Sequence, residues 1–252
     1  MSSSPRIAIG VHYTVPRHRA GWELREGLMP ESVLHREVVS LLEAILAAWS
    51  ARTGSSFVAS NLAVRWDEAQ SQIGVDPDVS VFSPAPPDPR ALRSVRTWVE
   101  GHSPPILAIE VVSETNPQKD YSVGPDKYAA SGTGELWIFD PLMAGPTGWG
   151  GPHRLQIWHR QADGDFVRIY AGEGPARSPT LGAHLVPTDE GRQLRIADDE
   201  SASRFWLTGE EMERAAKEQE RAAKEQERAA KEAALARITE LEATLAATSK
   251  PG

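Results

Sequence analysis

The sequence predicts an α/β (α+β) layout, one sheet flanked by helices with a long C-terminal helix. Three observations predict it: an early amphipathic helical run, a series of short apolar strand-like runs interrupted by one further helix, and a charged seven-residue repeat near the C-terminus. In the first run, Val38, Leu41, Leu42, Ile45, Leu46 and Trp49 share one stripe, Ser32 is available as N-cap and Gly54 lies beyond the end. Strand-like runs follow at 57–59, 62–66, 79–82, 106–112, 136–139, 155–158 and 166–170. The intervening helix is expected over about 124–130, ended by Ser-Gly-Thr-Gly. Prolines 84, 86, 87 and 89 cannot donate to a ladder, so that stretch reads as a surface loop, while Asp163-Gly164-Asp165 signals a hairpin.

From about residue 213 the chain repeats ERAAKEQ, ERAAKEQ, ERAAKEA and continues without Gly or Pro to Pro251. Each unit sets Glu four residues before Lys (213/217, 220/224, 227/231) and Arg four before Glu (214/218, 221/225, 228/232). At about 0.2–0.5 kcal/mol for each favourably ordered pair, such a helix stands with little tertiary help. Leu235, Ile238, Leu241 and Leu245 then form a short coiled-coil-like stripe, either a weak self-association patch or a homodimer seam. The expected organisation is an N-terminal segment 1–19, a folded body 20–208 and a helical tail 209–252.

Composition narrows the function classes. The chain has 252 residues, with 27 Lys+Arg against 35 Asp+Glu, a net charge of -8 and no Cys. Disulfides, zinc-thiolate centres, thiol catalysis and iron–sulfur clusters are excluded, and any metal must be held by Asp, Glu, His or backbone oxygen. The N-terminus lacks a signal-like apolar stretch and no run reaches the length of a membrane span, so the expectation is a soluble, cytoplasmic protein with no membrane partner. An acidic body lacks the overall basic field of non-specific DNA binders, although a local basic groove stays possible. The seven histidines show no metal-binding pair on one helix, and there is no GxGxxG, P-loop or Gly-x-Ser-x-Gly. The tryptophans at 49, 66, 137 and 158 sit in apolar periodic contexts and read as core.

Two carboxylates stand in apolar strand contexts. Asp78 opens Val-Ser-Val-Phe, and Glu110 lies inside Ile106-Leu-Ala-Ile-Glu-Val-Val112. An acid so placed costs several kcal/mol in desolvation unless a cation or several donors meet it. Were the two strands neighbours, a hard divalent cation could take one oxygen from each. In the alternative, Glu110 faces outward from a half-exposed strand and Asp78 caps a turn.

Pro77-Asp78-Val-Ser-Val, Ile109-Glu110-Val-Val-Ser113 and Lys127-Tyr128-Ala-Ala-Ser-Gly followed by Glu-Leu-Trp-Ile-Phe-Asp-Pro together resemble the Uma-two family of restriction-endonuclease-like proteins. This family is a branch of the PD-(D/E)XK nuclease superfamily, and the resemblance covers about residues 20–190. It implies a restriction-endonuclease-like central mixed sheet flanked by helices and a Mg2+-dependent endonuclease acting on nucleic acid, DNA above all. Asp78 and Glu110 would hold Mg2+ (or Mn2+), with the Val111 carbonyl as a further ligand. The fold's usual lysine position, two residues after the acid, is Val112 here, and the family's lysine from the following helix is expected at Lys127. The commoner family place, four residues before the tyrosine, is occupied by Gly124, which leaves Lys119 as a substitute. Glu31 is the expected third carboxylate, with Glu23 and Glu26 as competitors, and His35 either hydrogen-bonds near the centre or packs within its helix. The displaced lysine also admits a second class: a catalytically inactive nuclease-fold scaffold that recruits partners or a second copy through its tail.

Overall fold

A computed structural model of the chain describes residues 15–24, 32–148 and 151–248. The first helix, α1 (Val33–Thr53), starts where the Ser32 side chain accepts the His35 N–H and stops at Gly54, whose φ of 82° closes the C-terminus. Three strands with a fourth short one follow: β1 (Phe57–Ser60), β2 (Ala63–Arg65), β3 (Val79–Phe82) and β4 (Ser94–Arg96). Strand β5 (Leu107–Val111) leads through a π turn (Lys119–Val123) into α2 (Gly124–Ser131) and β6 (Glu135–Phe139). Then come β7 (Leu155–Arg160), β8 (Phe166–Gly172), β9 (Ala176–Ser178), β10 (Ala183–Thr188) and β11 (Gln193–Ala197).

Six strands form the central sheet in the order β1-β3-β5-β6-β7-β8. Only β5 and β6 run parallel, because only they are joined by a helical crossover; the other neighbours are antiparallel. Expected strands and helices thus lie in their expected places. Missing from the sequence reading were β4, the three-stranded sheet β11-β10-β9 and the π turn.

Both faces of the sheet are covered. On one, α1 lays Val38, Leu42, Ile45 and Leu46 over Val79, Val81, Leu107, Ile109 and Trp137, joined by Leu185, Leu194 and Ile196. On the other, Tyr128 of α2 packs with Phe82, Ala108, Leu136 and Ile138. All five residues of β5 and of β6 are buried, as expected for strands sandwiched between layers. Glu135, fully buried on β6, is satisfied by the indole N–H of Trp137 at 2.5 Å and the amide of Thr180 at 2.9 Å. It is therefore structural.

The chain divides into two compact units, with the boundary between Trp206 and Leu207. The second carries α3 (Gly209–Thr248), opened by a reciprocal cap in which Thr208 Oγ1 accepts the Glu211 N–H and Glu211 Oε2 accepts the Thr208 N–H. Lys217, Lys224 and Lys231 pair with the glutamates four residues before them, and Arg228 with Glu232. Arg214 departs from the expected pattern and turns back to Glu210. Leu235, Ile238 and Leu241 are all exposed. Among the described residues, no helix is long and apolar enough to cross a membrane.

Candidate active site

The β3/β5 ladder pairs Val79 with Ile109 and Ser80 with Ala108. Continued by one residue, this register sets Asp78 beside Glu110 at the strand ends. A hydrogen bond fixes the arrangement: the Val111 amide donates to Asp78 Oδ2 at 2.7 Å. Side-chain alternation turns Leu107, Ile109 and Val111 toward α1 and sends Ala108, Glu110 and Val112 to the opposite face, where α2 lies. The outward-facing alternative for Glu110 is thereby overturned, since the residue is only 4% exposed. Nor is Asp78 a simple turn cap; it is buried, and His35 Nε2 from the start of α1 lies 3.2 Å from its Oδ2.

From the other side, α2 and its π turn close on these acids. The phenol of Tyr128 donates to Glu110 Oε1 at 2.5 Å, and the Lys119 ammonium lies 3.9 Å from Glu110 Oε2 and 3.7 Å from Asp120 Oδ1. The turn follows from local sequence. Pro125 has no N–H to give to the preceding turn, and Gly124 instead donates to the Lys119 carbonyl five residues back, the wider register that recurs at functional sites. Tyr121 anchors the turn to the sheet: its Oη lies 2.9 Å from both Asp140 Oδ2 and the His153 carbonyl. Gly145 permits this, for a Cβ there would fall 2.3 Å from the Tyr121 ring.

The electrostatics are those of a site short of positive charge. Burial pushes the Glu110 carboxyl well above the usual carboxylate range; Lys119 opposes this, while Asp120 and Asp78 add to it. Burial likewise pushes Asp120 up to about 7 despite Lys119, and the charge on Asp78 reinforces the shift. Lys119 is raised, chiefly by Glu110. Lys127 is half-buried and goes the opposite way, down to about 8, through desolvation and the neighbouring Lys119 charge.

A hard divalent cation suits this donor set. Asp78 and Glu110 offer only carboxylate oxygens, the ligands that Mg2+ and Mn2+ prefer, and the buried Asp120 Oδ1, 3.7 Å from the Lys119 ammonium, has no hydrogen-bond partner among the described residues. Asp78 spends Oδ2 on both of its contacts, and Glu110 gives Oε1 to Tyr128, so each keeps one oxygen for a ligand. Among the described residues, no group of three or more His, Asp or Glu side chains is placed to hold a metal ion. Backbone oxygen and water would have to complete the coordination.

The expected site residues fall into three groups. Asp78, just before β3, comes together with Glu110 and Val111 on β5. Lys127 lies near enough to feel the charges of Lys119 and Glu110, yet Lys119 is the lysine within ion-pair distance of Glu110. Glu31 and Glu26 lie outside the described residues, and Glu23 forms an isolated bridge with Ile73. Sequence reasoning missed Asp120 and the bond from Tyr128. A signal was present: Asp120 is an acid directly after Lys119, in the same crossover that supplies the tyrosine.

A crystal structure titled as that of a putative nuclease belonging to DUF820, from Anabaena variabilis ATCC 29413, is similar at 15% identity with a TM-score of 0.44, covering 63% of this chain and 80% of that one. None of the curated proteins matches. A family model described as "Putative restriction endonuclease" matches residues 22–169, which span β1 to β8 apart from the last residues of β8 together with both acids and the crossover. The chain belongs to this family, Uma2.

Proposed function

We propose that the chain is a metal-dependent endonuclease that hydrolyses phosphodiester bonds of nucleic acid, with Asp78 and Glu110 holding Mg2+ or Mn2+ and the Val111 carbonyl as a further ligand. The observation that carries this reading is the meeting of two buried carboxylates from adjacent strands, with a third at Asp120, against one lysine. When bound, the ion would polarise the scissile phosphate and acidify a water. The chain's own residues do the rest. The Val111 amide and His35 hold Asp78 in place, and Tyr128 fixes the Glu110 carboxylate from behind. Lys119, half-exposed with its Nζ over the acids, orients the attacking water or meets the phosphate charge; Lys127, eight residues further on in α2, is a secondary cation whose own charge the Lys119 ammonium disfavours.

A second reading, a catalytically inactive nuclease-fold scaffold that recruits partners through its tail, is favoured by one observation: among the described residues no three His, Asp or Glu side chains are placed to hold a metal ion. One experiment separates the two. Single- and double-stranded DNA and RNA are incubated with Mg2+ or Mn2+ and the wild type, Asp78→Ala or Glu110→Gln. The endonuclease reading expects cleavage that both substitutions abolish, whereas activity surviving in Asp78→Ala would refute the assigned site.

A further inference from the structure

Strands β2 and β4 lie apart from the central sheet and pair with each other in parallel, placing Arg65 directly beside Arg96. Like charges in register destabilise a strand pair, so this placement needs a reason beyond folding. Among the described residues, no carboxylate lies within ion-pair distance of either guanidinium. Arg65 donates to the Ser71 carbonyl at 2.6 Å and Arg96 to Ser94 Oγ at 3.4 Å, leaving most of their five N–H donors uncommitted. In a chain with a net charge of -8, two such arginines side by side form a local positive spot.

That spot lines a groove of about 360 Å³ formed by Arg65, Ser71, Gln72, Arg96 and Trp98. No side-chain carboxylate lines it. Trp98 is half-buried, follows Arg96 by two residues, and has no aromatic ring against it among the described residues. A larger groove of about 660 Å³ shares Trp98, but there Arg17 and His18 are offset by Asp67 and Glu68, which disfavour phosphate. The smaller groove therefore combines what an unpaired nucleotide needs: forked donors for phosphate and an indole face for a base. It also lies close to the acids along the chain, since Gln72 precedes Asp78 by six residues, a span of at most about 20 Å.

We infer that this groove binds an unpaired strand of nucleic acid, phosphates on Arg65 and Arg96 and a base on Trp98, feeding the strand toward Asp78 and Glu110. The choice of ligand rests on the proposed phosphodiesterase reading; the groove does not depend on cleavage. The test is fluorescence anisotropy of a labelled 12-nucleotide single strand and of the same sequence as a duplex, in EDTA, with the full chain. Thermal melts check that each variant is folded. For Arg65→Gln/Arg96→Gln, single-strand affinity falls about tenfold or more and the salt slope drops by about 1.4, the release expected for two phosphates. Trp98→Ala loses about 1–3 kcal/mol, roughly 5- to 150-fold, while Trp98→Phe keeps most of the binding because a ring remains. Arg177→Gln, an exposed arginine elsewhere, leaves affinity unchanged.

Wild-type binding untouched by the arginine pair and by Trp98→Ala overturns the inference, as does a wild type that binds neither probe. A separate cleavage arm distinguishes the two readings. Groove-dependent binding by a wild type that never cleaves keeps the groove and removes the nuclease. Metal-dependent cleavage with groove variants binding and cutting as wild type keeps the nuclease and removes the groove.

Discussion

Replacing Asp120 by Asn should make the metal-free protein more stable at alkaline than at acidic pH, relative to wild type. Asp120 is 5% exposed and ionises near 7 in the fold against 3.8 for the free side chain, mainly through desolvation. Because the folded value is raised, this acid leaves stability intact below about pH 4 and erodes it as the pH climbs toward 7. A gap of about 3 units at about 1.36 kcal/mol each makes ionising Asp120 cost about 4 kcal/mol by pH 8. About 1 kcal/mol of that is already lost at pH 4.5, where the unfolded chain has mostly released its proton. Asn cannot ionise, so the variant should gain about 3 kcal/mol on wild type between pH 4.5 and pH 8. Urea unfolding in EDTA at the two pH values reads this directly, and taking the difference cancels any pH-independent cost of the amide. Equal free-energy changes at both pH values, or a variant that loses ground at pH 8, would refute the reasoning.

Four further outcomes follow from the same geometry. Lys119→Ala should lower cleavage about a hundredfold and Lys127→Ala much less, as measured by single-turnover rates. Lysine at Gly124 should restore part of the loss in the Lys119→Ala background, because the π turn stacks position 124 over 119 and a Cβ there meets only the Lys119 carbonyl at 3.4 Å. Tyr128→Phe removes the donor to a buried carboxylate and should cost about 1–3 kcal/mol in urea unfolding. In the tail, where Leu235, Ile238 and Leu241 are exposed, sedimentation tests the proposed homodimer: a dimer of the full chain lost in Leu235→Glu with Ile238→Glu supports it, and unchanged sedimentation refutes it.

Much of this architecture was legible because periodicity and caps are local. Ser32 and Gly54 mark both ends of α1, and the apolar runs around Val79, Ile109 and Trp137 are strands buried on both sides. The Asp78 and Glu110 contexts announced themselves by being acids in apolar company. What stayed hidden depends on longer-range geometry. A π turn differs from an α-helix by one hydrogen-bond step, which the sequence around Gly124-Pro125 suggests only in retrospect, and that step decides whether Lys119 or Lys127 reaches Glu110. Strand β4 is three residues long and, among the described residues, pairs with β2 alone, so no alternation could mark it. Asp120 reads as one more polar residue before a helix until the fold buries it.

The proposed chemistry turns on Asp78 and Glu110 sharing a divalent ion. Isothermal titration of Mn2+ into the wild type, Asp78→Asn and Glu110→Gln tests it most directly. The expected result is saturable binding in the micromolar to millimolar range by the wild type and its loss in both variants. Absence of wild-type binding, or binding that both variants retain, would contradict it.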